Sequence, residues 1–116
     1  MQECINACLD CLEACENCST SCIDMGDSMM SECIKRCRDC ADVCALCARL
    51  SMRDSILATR FCELCAEACN ACADECEKHA THHEHCRICA EACRKCAKIC
   101  AAYEGAAFSP LSLSNL

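Results

Sequence analysis

Along this chain, the positions that a helical bundle would fill with leucine carry cysteine. Between Cys86 and Cys100 the thiols Cys86, Cys89, Cys93, Cys96 and Cys100 stand three, four, three and four residues apart. A helix turns every 3.6 residues, so this alternation lines one face. The same pattern occurs three times earlier. The first repeat holds Cys4, Cys8, Cys11, Cys15, Cys18 and Cys22; the second Cys33, Cys37, Cys40, Cys44 and Cys47; the third Cys62, Cys65, Cys69, Cys72 and Cys76. In each, cysteine takes both the a and the d positions of a heptad, which Leu and Ile usually occupy.

The flanks favour helix. Alanine is abundant and is the best helix former, and Gly and Pro are missing from all four repeats. Gly26 and Gly105 each follow a repeat, where a C-terminal cap wants a positive φ. Asp27 or Ser28 can cap the second helix, and Ser51 and Asp54 offer a start for the third. Thr81 with Glu84 fits a capping box for the fourth, and Glu91 with Lys95 an i,i+4 surface pair. The pattern predicts helices over 2–25, 28–50, 53–80 and 83–104. Short linkers force antiparallel neighbours, so the expected fold is all-α, an up-down-up-down four-helix bundle with a cysteine-lined core over 1–104. An irregular tail is expected over 105–116, where Pro110 and several serines fall.

That topology sorts the turns. Those after the first and third helices share one end. The first carries Met25, Met29 and Met30, the second His79, His82, His83 and His85. Thioethers and imidazoles therefore meet beside Cys22, Cys33, Cys76 and Cys86. The other end receives Leu50, Met52, Ile56, Leu57, Phe61, Tyr103 and Phe108, which predicts an ordinary hydrophobic plug, with Tyr103 and Phe61 as core.

Composition sharpens the picture. The chain has 116 residues, which suits one domain, and 21 of them are Cys. Much of the 54% apolar content is Cys and Ala, so the thiols must themselves be core; a free thiol packs as a small hydrophobe. The net charge is −7. No basic stripe with interleaved aromatics is present, which argues against nucleic acid. No apolar run approaches membrane-spanning length. Residues 1–34 hold no Lys or Arg, whereas Arg87, Arg94, Lys95 and Lys98 make the last repeat basic. That asymmetry suggests complementarity between helices or between subunits. The N-terminus lacks the basic and apolar regions of a signal peptide, which predicts a cytoplasmic protein. A reducing cytosol keeps thiols free and turns such cysteine density toward metal.

Thiolates select soft metals: Cu(I), Zn(II) or iron–sulfur clusters. Zinc needs four converging ligands, and an iron–sulfur cluster needs clustered spacings with backbone donors. Neither needs four complete stripes. Cysteines three or four apart on a helix have Cβ atoms about 5–6 Å apart, enough for a two-coordinate Cu(I) between two sulfurs. Equal numbers of thiolates and Cu(I) ions add no net charge, so near-stoichiometric loading is electrostatically sensible, and each thiol bound must release its proton. The competing readings are a metal-free thiol core, a disulfide scaffold, and an iron–sulfur or zinc protein. Helical i,i+4 thiols have unsuitable vectors for bridging. For the histidines the alternative is a polar solvated turn; for Met29 and Met30 it is helix packing.

Two runs carry a family resemblance: CADECEKHATHHEHCRICAEAC, from Cys72 to Cys93, and CIKRCRDCADVCALC, from Cys33 to Cys47. Together with the repeats over 2–104, they resemble the four-helix cysteine-rich copper storage proteins of the cytosolic type. The resemblance implies reversible storage of many Cu(I) ions inside each bundle, assembly as a homotetramer, and uptake at the open end. It makes the cysteines core ligands and puts His79, His83 and His85 where cytosolic members carry histidines at the mouth. Met25 and Met29 at the first turn are similar to those of exported members. The expectation is therefore a Cu(I) storage and sequestration protein, not an enzyme, with His83 and His85 as gatekeepers and a copper chaperone as a candidate partner.

Overall fold

The computed structural model describes residues 2–107, with side chains through residue 102. Four helices form: α1 Gln2–Met25, α2 Ser31–Met52, α3 Ala58–Glu77 and α4 Glu84–Ala107, with a 3-10 turn Ser28–Met30 before α2. Each packs on two neighbours, α1 on α2 and α4, α3 on α2 and α4. The bundle is antiparallel, as short linkers require. No helix of the described residues is long and apolar enough to cross a membrane.

The stripes face inward. All 21 cysteines are buried and free. Alanine does more than favour helix. Ala7 and Ala14, Ala41 and Ala48, Ala66 and Ala73, and Ala90 and Ala97 are buried, each pair one heptad apart on its own helix. A methyl beside a thiol stripe lets helix backbones approach closely. Leu12, Ile34, Val43 and Ile99 pack against the outside of this seam. The core thus consists of small side chains. A fully buried Leu would contribute about 1.5–3 kcal/mol and a smaller thiol contributes less, so the bundle forgoes packing energy at every cysteine.

The turns depart from the sequence expectations in instructive ways. Gly26 does cap α1, at φ 64, and Asp27 accepts a hydrogen bond from the Met29 N–H at 2.9 Å. The third helix starts neither at Ser51 nor at Asp54. Ser51 is one step beyond Cys47 on the stripe and is buried inside α2, so it cannot serve as a cap. Asp54 takes φ 52 in the turn, and Ser55 Oγ accepts from the Leu57 N–H at 3.1 Å. The predicted start at 53 therefore moves to Ala58. The Thr81/Glu84 capping box does not form. His82 and His83 both donate N–H to the His79 carbonyl, at 3.1 and 3.0 Å, and α4 begins only at Glu84. There Glu84 favours the positive helix end and pairs with Arg87. Gly105 is no cap either, since α4 continues through it to Ala107. Phe108 and the rest of the expected tail lie outside the described residues, as does the Tyr103 side chain.

Charge is also arranged differently. Glu91 pairs with Arg87 at 2.7 Å rather than with Lys95. Arg94 reaches α3, bonding Asp74 at 2.6 Å, Glu77 at 2.8 Å and Asn70 at 3.0 Å. Among the described residues, the basic face of α4 serves α3 and α4 itself, with no ion pair to acidic α1.

Candidate metal centre

The four stripes enclose a tube of sulfur. Sγ–Sγ separations run from 3.6 Å for Cys11–Cys93 to 4.0 Å for Cys22–Cys33. They form an unbroken path. Near the base, Cys4 meets Cys62 at 3.9 Å and Cys100 at 3.7 Å. Cys100 meets Cys8, Cys8 meets Cys65, and Cys65 leads through Cys69 to Cys11 at the waist. From Cys93 the path goes by Cys89, Cys37 and Cys76 to Cys33 and Cys22. Cys18 and Cys86 pair beside its upper end at 3.9 Å.

These spacings have a coordination meaning. With a metal–thiolate bond of about 2.3 Å, simple trigonometry puts sulfurs about 4 Å apart around a three-coordinate ion and about 4.6 Å apart across a linear one. Three-coordinate ions therefore need little rearrangement, whereas linear ions need the tube to widen slightly. Tetrads also exist. Cys4, Cys8, Cys47 and Cys100, or Cys11, Cys15, Cys40 and Cys93, hold their sulfurs within 4.8 Å of one another. But Cys8 and Cys100 recur in a tetrad with Cys65 and Cys96, and Cys11 and Cys96 in one with Cys44 and Cys69. Sulfurs shared between tetrads call for bridging thiolates, and ions that need only two or three ligands use the fewest sulfurs per ion.

Burial works against the thiolate before metal arrives. At the upper end, burial and then the Cys33 charge push the Cys22 thiol up to about 11. Burial, followed by the charges of Cys33 and Cys22, raises Cys86 as well. Deeper, Cys15 and Cys44 are held up by their hydrogen bonds to Cys11 and other neighbours, with burial adding to this. Others go the other way: hydrogen bonds with neighbouring thiols hold Cys4, Cys33, Cys65, Cys72 and Cys89 down, and Cys96 is lowered to about 6, chiefly by its hydrogen bond with Cys100.

The structure sorts the mouth residues. His85 Nε2 lies 3.5 Å from Cys22 Sγ. The His83 and His85 rings stack with centroids 5.5 Å apart, and His82, exposed, meets His83 edge-on at 6.5 Å. His79, half-buried, continues the α3 stripe three residues past Cys76. The methionines separate. Met29 is 76% exposed and Met25 38%, whereas Met30 is 1% exposed and belongs to the thiol core. The sequence reading singled out Met25 and Met29, yet Met30 is the thioether packed among the cysteines. Its signal was available: Met30 precedes Cys33 by three residues, at the next step of the α2 stripe. Glu75 was also missed. It is the one buried charged residue among those described.

Among the described residues the expected plug forms only in part: Leu50 is buried. Met52, Ile56 and Leu57 are exposed, at 55%, 78% and 44%, and Phe61 is half-buried. Cys4, Cys47, Cys62 and Cys100 are nevertheless closed off, with Ile5, Leu50, Ser51 and Ala58 also buried.

Comparison with known proteins follows this geometry. The profile of the copper storage protein family matches residues 1–105. Apo copper storage protein 3 from Bacillus subtilis is 43% identical with a TM-score of 0.81, over 89% of this chain and 97% of that one. A Cu(I)-bound form of that Bacillus subtilis protein is 42% identical with a TM-score of 0.82, over 89% and 96%. A cytosolic copper storage protein from Streptomyces lividans, in a structure with five coppers, is 38% identical with a TM-score of 0.84, over 90% and 92%. A search of curated proteins finds no match.

Proposed function

We infer how this chain works from one premise: it belongs to the copper storage protein family. It stores Cu(I), many ions per chain, in thiolate ligation inside the bundle. We assign as ligands the 21 stripe cysteines, with His79, His83 and His85 and the thioethers Met25 and Met29 at the mouth. The process is binding and release, not turnover. An ion is taken first by the imidazoles, passes from His83 to His85, then to Cys22, Cys33 and Cys76. Exposed His82 and Met29 are the first groups it meets. From His85 onward each step exchanges one ligand for another 3.5 to 4.0 Å away, near enough for one ion to bind both, so no ion need become free.

The unbroken sulfur path with overlapping tetrads is the single observation that carries this reading. Anaerobic titration tests it. Cu(I) needs two or three of the 21 thiols per ion and zinc needs four, so Cu(I) should saturate at more ions per chain than zinc. Equal saturation by the two metals would sink the low-coordinate reading. Circular dichroism should show full helix before loading and little change after it. The protein should be colourless as purified, since a brown iron–sulfur spectrum belongs to the rival reading.

The cytosolic description of the Streptomyces lividans relative supports a cytoplasmic setting. We further propose a homotetramer, for which exposed Leu9, Leu46, Leu64 and Ile88 supply outer apolar surface; sedimentation of the full chain measures it. A copper chaperone is the donor we expect, and transfer faster than from a small chelator would support it.

A further inference from the structure

Burying a carboxylate is costly unless its charge is met, so Glu75 needs a physical reason. Its residue exposure is 9%. It precedes Cys76 on α3 and stands one helical turn from His79. Its two oxygens are divided. Oε2 lies 2.9 Å from Lys78 Nζ, and Oε1 lies 3.5 Å from His79 Nε2. Lys78 reaches in from solvent, with its side chain 69% exposed, and feels Glu32 and Asp74 as well. His79 Nε2 is buried and has no hydrogen-bond partner. The Glu75 contact is within ion-pair range but about half an ångström longer than a hydrogen bond.

A neutral imidazole has one N–H and one lone pair. If the Nε2 lone pair faced the carboxylate oxygen, two acceptors would oppose each other in a buried site. An Nε2–H there needs only a small closure to become a charge-assisted hydrogen bond. We propose that Glu75 is a positioning residue for copper uptake: it holds His79 as the Nε2–H tautomer and leaves Nδ1 as the nitrogen offered to Cu(I). A carboxylate behind a metal-binding histidine fixes ring and tautomer in this way. Lys78 holds the other carboxylate oxygen and keeps Oε1 turned toward the ring. This inference rests on the assignment of His79 to the mouth.

Nitrogen-15 NMR of the full chain tests it, at about pH 8, above the ordinary imidazole range. Metal-free wild type should show His79 protonated at Nε2, and anaerobic Cu(I) should move the Nδ1 resonance. In Glu75→Leu the Nε2–H fraction should fall from near-complete to the modest excess of a free neutral imidazole side chain, and stopped-flow uptake should slow about tenfold with capacity unchanged. Glu75→Gln keeps the shape and an acceptor oxygen, so it should restore part of the preference; its circular dichroism controls for folding. An Nδ1–H tautomer in the wild type, or an unaltered tautomer in Glu75→Leu, would overturn the proposal. His79→Ala separates the two claims. Uptake at the wild-type rate in that variant removes His79 from the mouth, and this proposal with it. Slowed uptake in His79→Ala beside an unaltered Glu75→Leu removes the role of Glu75 alone.

Discussion

The two ends of the thiol tube close in different ways. At the mouth, the last sulfurs meet groups that can take over a soft ion. His85 touches Cys22, His83 stacks on His85, and Met30 lies in the core beside them. At the base, Ser51, Ala58, Ile5 and Leu50 are buried along with the last cysteines, while Met52, Ile56 and Leu57 are exposed. One end offers ligands in graded exposure; the other offers methyls and a hydroxyl without a partner. The tube is therefore directional although its walls are nearly uniform. Direction comes from the residues at the turns, not from the stripes.

That contrast can be broken experimentally. The largest effect should come from pH, because on the proposed route ions pass a thiol that keeps its proton. Cys22 is raised to about 11, above the usual thiol value of about 8.5. Between pH 8 and pH 6 its thiol stays protonated, so binding must expel that proton and affinity rises with pH. With one proton released per ion, affinity should fall about tenfold for each unit of acidification, read by competition with a Cu(I) chelator. Next, His83→Ala with His85→Ala should slow uptake about tenfold without lowering capacity. Ile56→Ser with Leu57→Ser at the base should leave the uptake rate unchanged. Equal slowing by both pairs would show that copper uses either end. A finer comparison is Cys22→Ser against Cys4→Ser. Each should cost about one ion in capacity, but only the former should slow uptake severalfold in stopped-flow transfer.

The smallest effect concerns stability at the base. Among the described residues Ser51 Oγ is buried without a partner, and such a group costs about 1–3 kcal/mol. Ser51→Ala should therefore raise the stability of the metal-free protein by about 1 kcal/mol, measured by thermal or denaturant unfolding. Ile56→Ser should stay within about 0.5 kcal/mol, because its side chain is already in solvent.

Legibility followed the same division. The thiol stripes could be read because Cys at a and d is a local periodic signal repeated four times. Met30 was harder to read. It shares a turn with Met29, and whether a residue one step before a helix faces in or out depends on the 3-10 turn Ser28–Met30. The base was misjudged for a related reason. Ile56 and Leu57 are apolar, and apolarity alone suggests burial, but among the described residues nothing covers this turn at the end of the bundle. Arg94 belonged to a visible basic run, yet its partners Asp74 and Glu77 lie on α3 and not on the acidic first helix. Composition records the amount of charge and says nothing of which faces meet.

By itself, then, the sequence determined the four helices, their inward cysteine faces, their antiparallel order and the soft-metal chemistry. All of these follow from a 3.6-residue period, from the shortness of the linkers and from thiol chemistry, which can be read without knowing the contacts. Only the tertiary structure decided how neighbouring stripes interlock into one sulfur path, which methionine enters it, how the base closes, and that Glu75 sits buried against His79. Those outcomes depend on contacts between segments far apart in the chain and on turn geometry set by a few residues, and neither leaves a periodic trace in the order of amino acids.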